Sequence, residues 1–314
     1  MTSNRADAGE QSGRFTEEAM RRTATEIAAQ LGASGDLVLL RLTNNAVFAI
    51  PEAGIVIRVS RSHGLRARAA KVAALGGWFA EIDAPTIRLT PGIEQPLEVD
   101  HLLATVWTYV PPRPPTPGVT DLGHVLGAFH RLGTPPLLLP TWNPVDDART
   151  RLADAEALAE SDRRFLTDWC DRLEPQLDEL RQQQPPGLVH GDAHAGNLLR
   201  HSDDQVVLCD FDATCLGPWQ VDLVAVPVGE ARFGRTGNHA QLAAAYGYDI
   251  TTDPAWPLLR EARELKMVVA AVPLLASGPG VAHEFATRLR SIQRHEQSTR
   301  WTPFADLTAA RAVR

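Results

Sequence analysis

The sequence has few cysteines, no basic surplus and no long apolar run. The three cysteines, Cys170, Cys209 and Cys215, are odd in number and lack Cys-x-x-Cys spacing, which argues against a disulfide scaffold and against structural zinc. The net charge of −7 provides no basic field for nucleic acid. The longest apolar run, 267–276, is too short to span a bilayer. We therefore expect free thiols and neither nucleic-acid nor membrane partners.

Length and composition indicate a globular protein with two lobes. The chain has 314 residues, of which 44% are hydrophobic and 22% are charged, and this length is large for a single compact core. The polar segment 1–10 cannot form the apolar part of a signal peptide. These features predict a cytoplasmic protein.

The most informative segment is His-Gly-Asp at 190–192, followed by Asn197 and by Asp-Phe-Asp at 210–212. Phosphoryl transfer needs one acid that accepts the proton of an attacking hydroxyl. It also needs oxygen ligands for the Mg²⁺ that neutralises nucleotide phosphates. Segments 198–200 and 206–209 read as strands joined by a polar turn at 201–205, and such a hairpin would bring Asp210 beside Asn197. The spacing therefore predicts a kinase site.

These motifs resemble the aminoglycoside phosphotransferase and choline kinase-like family of small-molecule kinases. The family pattern is His-Gly-Asp, four variable residues and Asn, followed by an Asp in an apolar-Asp-aromatic-acidic run, and both parts are present. The resemblance implies an α+β, bilobal protein-kinase-like fold with a small β-rich N-lobe, 1–110, and a larger helical C-lobe, 111–314. It also implies Mg²⁺, ATP or GTP as phosphate donor, and a small-molecule hydroxyl as acceptor.

The resemblance assigns roles to the motif residues. Asp192 would be the general base, or at least the group that orients the acceptor hydroxyl, and Asn197 and Asp210 would coordinate Mg²⁺. His194 would either face the acceptor or be a solvated loop residue. Three residues would provide a second metal ligand or support the loop: Asp212, His190 and Asp222. For Asp222, the resemblance implies a buried acceptor of backbone hydrogen bonds, and a simple helix N-cap is the alternative.

The N-lobe departs from the protein-kinase pattern. Asn45 and Arg58 match the family's turn asparagine and strand basic residue, while Thr105 and Tyr109 would lie against the nucleotide base. The turn 43–45 has no glycine, and no acid lies between Arg58 and Glu81 to position the arginine. We therefore expect the nucleotide phosphates to hold Arg58. The basic stretch 66–71 would either help to bind phosphate, through Arg66, Arg68 or Lys71, or form a solvated face.

Hydrophobic periodicity and turn residues predict the remaining elements. The N-lobe would contain helices at 16–31 and 64–82 and strands at 38–42, 47–50, 55–59, 86–89 and 101–110. The C-lobe would contain helices at 121–132, 145–160, 161–184, 221–233, 238–246, 254–276 and 281–297.

The acceptor stays open at this stage. An antibiotic is the leading class, which implies a role in resistance or self-resistance. A metabolic kinase acting on choline, homoserine or a sugar would share every motif. The missing helix glutamate also permits a catalytically weak nucleotide-binding protein. A zinc hydrolase using His190, Asp192 and His194 is the least supported alternative, because no third convincing ligand completes the site.

Overall fold

The computed structural model describes residues 15–42, 45–60, 66–155, 157–203 and 205–309. The chain forms two compact units. The first extends to Pro117 and also contains Pro135–Leu139 and Gly196–Ala213. The second contains Gly118–Thr134, Pro140–Ala195 and the chain from Thr214 onward. The first unit thus includes the hairpin segment that a division at residue 110 would assign to the C-terminal lobe.

The first unit is built on a five-stranded antiparallel sheet of order β1-β2-β3-β5-β4. Its elements are α1 (Glu17–Gln30), β1 (Val38–Leu42), β2 (Asn45–Ile50), β3 (Ile55–Ser60), α2 (Arg66–Glu81), β4 (Leu97–Val99) and β5 (Leu102–Thr108). Thr16 caps α1 by accepting a hydrogen bond from the Ala19 amide. Apolar residues of α1 and the central strands form one core, including Ile27, Phe48 and Ile57.

One predicted strand is wrong, because residues 86–89 are not part of the sheet. They form isolated bridges, and the Ile87 amide donates to Leu208 O at 2.9 Å. The backbone of this segment therefore forms part of its hydrogen bonds with the hairpin 198–208. The fifth strand is instead β4, whose three residues are too short to give a periodic signal. The predicted strand 101–110 is shorter, and the predicted residues 43, 44, 64 and 65 lie outside the described residues.

The hairpin predicted after Asn197 is confirmed. Strands β7 (Leu198–Arg200) and β8 (Val206–Leu208) pair antiparallel, with Leu198 opposite Leu208. The Cys209 amide donates to Asn197 O at 2.9 Å. This bond brings the chain back to Asn197 immediately before Asp210.

The second unit is mainly helical. It contains α3 (Val119–Phe129), α4 (Pro144–Ala153), α5 (Glu160–Gln183), α6 (Ala225–Phe233), α7 (Asn238–Tyr246), α8 (Trp256–Val269), α9 (Pro279–Gln293) and α10 (Phe304–Ala309). Two short strands, β6 (Gly187–Val189) and β9 (Cys215–Gly217), pair antiparallel. The core includes Leu166, Trp169 and Leu265.

Six of the seven predicted helices of this unit have different bounds; those predicted over 121–132, 161–184 and 281–297 are Val119–Phe129, Glu160–Gln183 and Pro279–Gln293. The helix predicted over 145–160 ends at Ala153, and the helix predicted over 221–233 begins as an α-helix only at Ala225. The helix predicted over 254–276 ends at Val269, after which Val272–Ser277 forms a 3₁₀ turn. Pro273 explains this change, because proline has no amide hydrogen to continue the α-helix. Within the described ranges, no helix is long and apolar enough to cross a membrane.

Candidate active site

The loop that begins at His190 is fixed by one buried carboxylate. β6 leads directly into His190, which has no exposed surface. The amides of His190 and Gly191 donate to the two carboxylate oxygens of Asp222 at 2.7 and 2.8 Å, and His130 Nε2 lies 3.0 Å from Asp222 Oδ2. Gly191 has φ +78°, a conformation that a side chain would strain. This is the backbone contact that the resemblance implied for Asp222.

The environment of Asp222 keeps it ionised. Burial acts to raise its pKa, because water no longer solvates the charge. The hydrogen bond and charge of His130, together with His190, outweigh burial and place the pKa of Asp222 below its ordinary value. Asp222 lies in the 3₁₀ turn Trp219–Asp222, before α6, so it is not the N-cap of that helix.

Asp192 faces two cations from α8 that the sequence did not reveal. Arg263 Nη1 and Lys266 Nζ each lie 3.1 Å from Asp192 Oδ1, and Lys266 also donates to Gly191 O at 3.0 Å. Burial acts to raise the pKa of Asp192, but Lys266, Arg263 and His194 hold it well below its ordinary range. Asp192 is therefore a carboxylate at neutral pH.

The two histidines of the motif differ in position. The Asp192 amide donates to His190 Nδ1 at 3.4 Å, and Thr214 Oγ1 donates to His190 O at 3.4 Å. His194 is partly exposed, and its Nε2 lies 3.9 Å from Asp192 Oδ2. His190 thus belongs to the loop's internal hydrogen bonds, whereas His194 has access to solvent.

In the first unit, two carboxylates converge on one guanidinium. Arg58 Nη2 lies 3.0 Å from Asp210 Oδ1 and 2.7 Å from Asp212 Oδ2, and Arg41 Nη1 lies 3.4 Å from Asp210 Oδ2. Asp210 has φ +68°, a conformation that is uncommon for a residue with a side chain and that is concentrated at functional sites. These two acids contact Arg58 where the helix glutamate is missing, and the expectation that nucleotide phosphates hold Arg58 stays a prediction.

Asn45 and Lys71 complete this carboxylate cluster. Asn45 Nδ2 donates to Asp212 Oδ2 at 2.9 Å, and Lys71 Nζ donates to Asp212 O at 2.7 Å. Lys71 is therefore not part of a fully solvated face. Burial acts to raise the pKa of Asp212, and Arg58 and Asn45 outweigh it and lower the pKa.

The predicted base-binding residues lie in or after β5. Thr105 is opposite Arg58 in the sheet, and its Oγ1 accepts a hydrogen bond from Trp107 Nε1 at 2.9 Å. Tyr109 follows the strand, and its amide donates to Gly54 O at 2.8 Å. Thr105, Asn45, Arg58 and Asp212 line a common recess.

The donor set of the first unit fits Mg²⁺. Asn197 is buried, and both it and Asp210 carry the hard oxygen atoms that this ion prefers. The carboxylates of Asp210 and Asp212 already share one cation, the Arg58 guanidinium. No three His, Cys, Asp or Glu side chains in the described chain form a metal-ligand group. Mg²⁺ needs no such group, because it is commonly held by one or two carboxylates plus phosphates and water.

Comparison with known proteins identifies the family. A profile of the phosphotransferase enzyme family matches residues 31–262. The chain belongs to this family. The kinase-like α+β fold predicted from the phosphotransferase motifs is thereby confirmed. A search of curated protein sequences gave no significant match.

Solved structures share the phosphotransferase fold at low identity. Choline kinase LicA from Streptococcus pneumoniae has a TM-score of 0.61 and 13% identity, with 87% of this chain and 99% of that chain covered. A microcompartment-associated aminopropanol kinase has a TM-score of 0.59 and 20% identity, with 82% and 90% covered. The streptomycin-ATP-APH(2")-IIa ternary complex has a TM-score of 0.55 and 12% identity, with 85% and 95% covered.

A compositional signal was available for Lys266, which the motifs did not reveal. Lys71 and Lys266 are the two lysines of this phosphotransferase, among 31 basic residues. Lys71 contacts Asp212, and Lys266 contacts Asp192. Each of the two lysines of this chain thus contacts an aspartate of one of the two phosphotransferase motifs.

Proposed function

We propose that the protein is a Mg²⁺-dependent phosphotransferase that transfers the γ-phosphate of ATP or GTP to a hydroxyl of a small molecule. The carboxylate cluster carries this proposal, because Asp210 and Asp212 share one cationic group in the same unit as Asn197. Asn197 and Asp210 would hold Mg²⁺, which when bound neutralises charge on the triphosphate.

Asp192 would orient the acceptor. As an ionised carboxylate it accepts a hydrogen bond from the acceptor hydroxyl and directs the oxygen towards the γ-phosphorus. The new phosphorus–oxygen bond forms as the bond to the bridging oxygen breaks, and the nucleoside diphosphate leaves. The hydroxyl proton passes to Asp192 and then to solvent. Because its pKa is lowered, Asp192 is a weak proton acceptor. Its larger contribution would therefore be to orient the hydroxyl, and proton transfer would be the smaller one.

The remaining residues would support binding. Arg58 would exchange its carboxylate partners for phosphate oxygens, which its planar guanidinium can bind in pairs. Thr105 and Tyr109 would contact the nucleotide base, and Asp222 would keep the loop before Asp192 in place.

For the acceptor, we propose an antibiotic hydroxyl, in agreement with the sequence-based expectation. The streptomycin complex supports this class, whereas the choline and aminopropanol kinases support a metabolic acceptor. The test is Mg²⁺-dependent nucleotide consumption against a panel of antibiotics and hydroxyl metabolites, with ATP and GTP measured separately. Phosphorylation of a panel member, detected by mass, supports the function. If no acceptor stimulates consumption of either nucleotide, the proposal is wrong.

A further inference from the structure

The face of α8 that meets Asp192 carries more positive than negative charge. Arg263 and Lys266 are three positions apart, so they project from the same side of the helix. Both contact the same oxygen of Asp192 at 3.1 Å. Two cations thus meet one carboxylate, and His194 Nε2 approaches its second oxygen at 3.9 Å.

The acidic residues of α8 do not compensate this charge. Glu261 accepts hydrogen bonds from Trp169 Nε1 and Arg172. Glu264 is buried and accepts a hydrogen bond from Arg232 Nε at 2.8 Å. Both carboxylates are therefore engaged by other cations or donors, and the Asp192 side keeps its positive surplus.

A recess open to solvent lies beside these cations. It is lined by Gly191, Arg263 and Lys266 and by apolar side chains that include Trp142, Val221 and Leu259. Arg263 Nε is buried and has no hydrogen-bond partner among the described residues. A buried donor without a partner is costly, and a ligand oxygen would satisfy it.

We propose that Arg263 and Lys266 are specificity-determining residues that bind an anionic group of the acceptor, a carboxylate or a phosphate. This inference rests on the proposed phosphotransferase function and narrows the proposed acceptor to an antibiotic or metabolite that carries both a hydroxyl and an anionic group. A polycationic acceptor would meet two like charges in this recess. An anion would receive charge-assisted hydrogen bonds, and the arginine can present two parallel donors to it.

The acceptor's anion would also affect Asp192. When Arg263 and Lys266 share their hydrogen bonds with a second anion, they stabilise the Asp192 charge less. Asp192 then becomes a better proton acceptor for the hydroxyl. Binding of an anionic acceptor would in this way increase the basicity of Asp192, the residue that orients its hydroxyl.

The test compares three acceptors of similar size: glycerate, glyceramide and 3-aminopropane-1,2-diol. Their binding to the full-length protein is measured by NMR titration without nucleotide, so that the result does not depend on turnover. We expect glycerate to bind about tenfold more tightly than glyceramide, and the amine to bind most weakly. The preference for glycerate should decrease at high ionic strength.

Three variants assign the preference to residues. Arg263→Gln and Lys266→Gln should each reduce the glycerate preference to about twofold or less, since each removes a charge-assisted bond. Arg290→Gln, an exposed arginine on α9, is the matched control and should keep the preference. Equal thermal unfolding temperatures show that the variants are folded, and the salt dependence of the parent protein tests the proposal without any variant.

Some results would overturn the inference while leaving the phosphotransferase proposal intact. Tighter binding of the amine than of glycerate would do so. So would a panel acceptor whose kcat falls in Arg263→Gln with unchanged KM, because the cations would then act on the transferred phosphoryl group. Conversely, an intact glycerate preference without any nucleotide consumption would contradict the phosphotransferase function alone.

Discussion

Replacing Asp222 by asparagine should destabilise the second unit. The carboxylate accepts hydrogen bonds from the His190 and Gly191 amides at 2.7 and 2.8 Å and contacts His130 Nε2 at 3.0 Å, with no solvent access to its side chain. An asparagine must place its NH₂ group against at least one of these donors. Loss of the charge and of one or two bonds should cost about 3–5 kcal/mol of unfolding free energy.

Urea denaturation followed by tryptophan fluorescence measures this change. The midpoint should fall by about 1.5 M if the slope is about 2–3 kcal/mol/M. Because the folded pKa of Asp222 lies below its unfolded value of about 3.9, the contribution is present above this pH and is lost as pH falls through the folded pKa. The difference between parent and Asp222→Asn should therefore shrink in strong acid. The exposed Asp168→Asn is the control, and a loss below about 1 kcal/mol in Asp222→Asn would refute the reasoning.

Three further predictions concern the first unit. Asp210→Asn should abolish Mg²⁺-dependent nucleotide binding in calorimetry and Asn197→Ala should weaken it less, since the carboxylate supplies the charge; parent-like binding by Asp210→Asn would show that the metal assignment is wrong. Lys71→Met should raise the nucleotide KM about fivefold without lowering kcat, because one hydrogen bond to Asp212 O is lost; an unchanged KM would exclude this role. Burial raises the pKa of Cys209 to about 12, so its alkylation at pH 8 should be slower than that of a free thiol by on the order of 1,000-fold. Mass spectrometry measures this rate, and rapid labelling of the folded protein would contradict it.

The sequence was sufficient to predict features that depend on residues close together in the chain. The hairpin 198–208 was predictable because two apolar segments flank a polar turn, and the interval fixes how Asp210 returns to Asn197. The helix cap at Thr16 was predictable for the same reason. Strand β4 was not, because three residues carry no periodic signal and its place in the sheet depends on pairing with β5.

The charged partners of the site were not predictable from local sequence. Asp192 lies 71 positions from Arg263, and Arg58 lies 152 positions from Asp210, so the motifs contain no information on these contacts. The sequence has no helix glutamate to pair with Arg58, which led to the expectation that the nucleotide phosphates hold this arginine. In the structure its acidic partners are Asp210 and Asp212, in the segment after β8.

The most direct test of the account is the turnover of Asp192→Asn with the best acceptor of the panel. The substitution keeps the size of the side chain and removes the charge that orients the hydroxyl. We predict that kcat falls by at least about 100-fold while the dissociation constant of the Mg²⁺-nucleotide stays unchanged, and that Asp168→Asn behaves like the parent. If Asp192→Asn retains kcat within about threefold of the parent, Asp192 does not orient the acceptor and the central claim is contradicted.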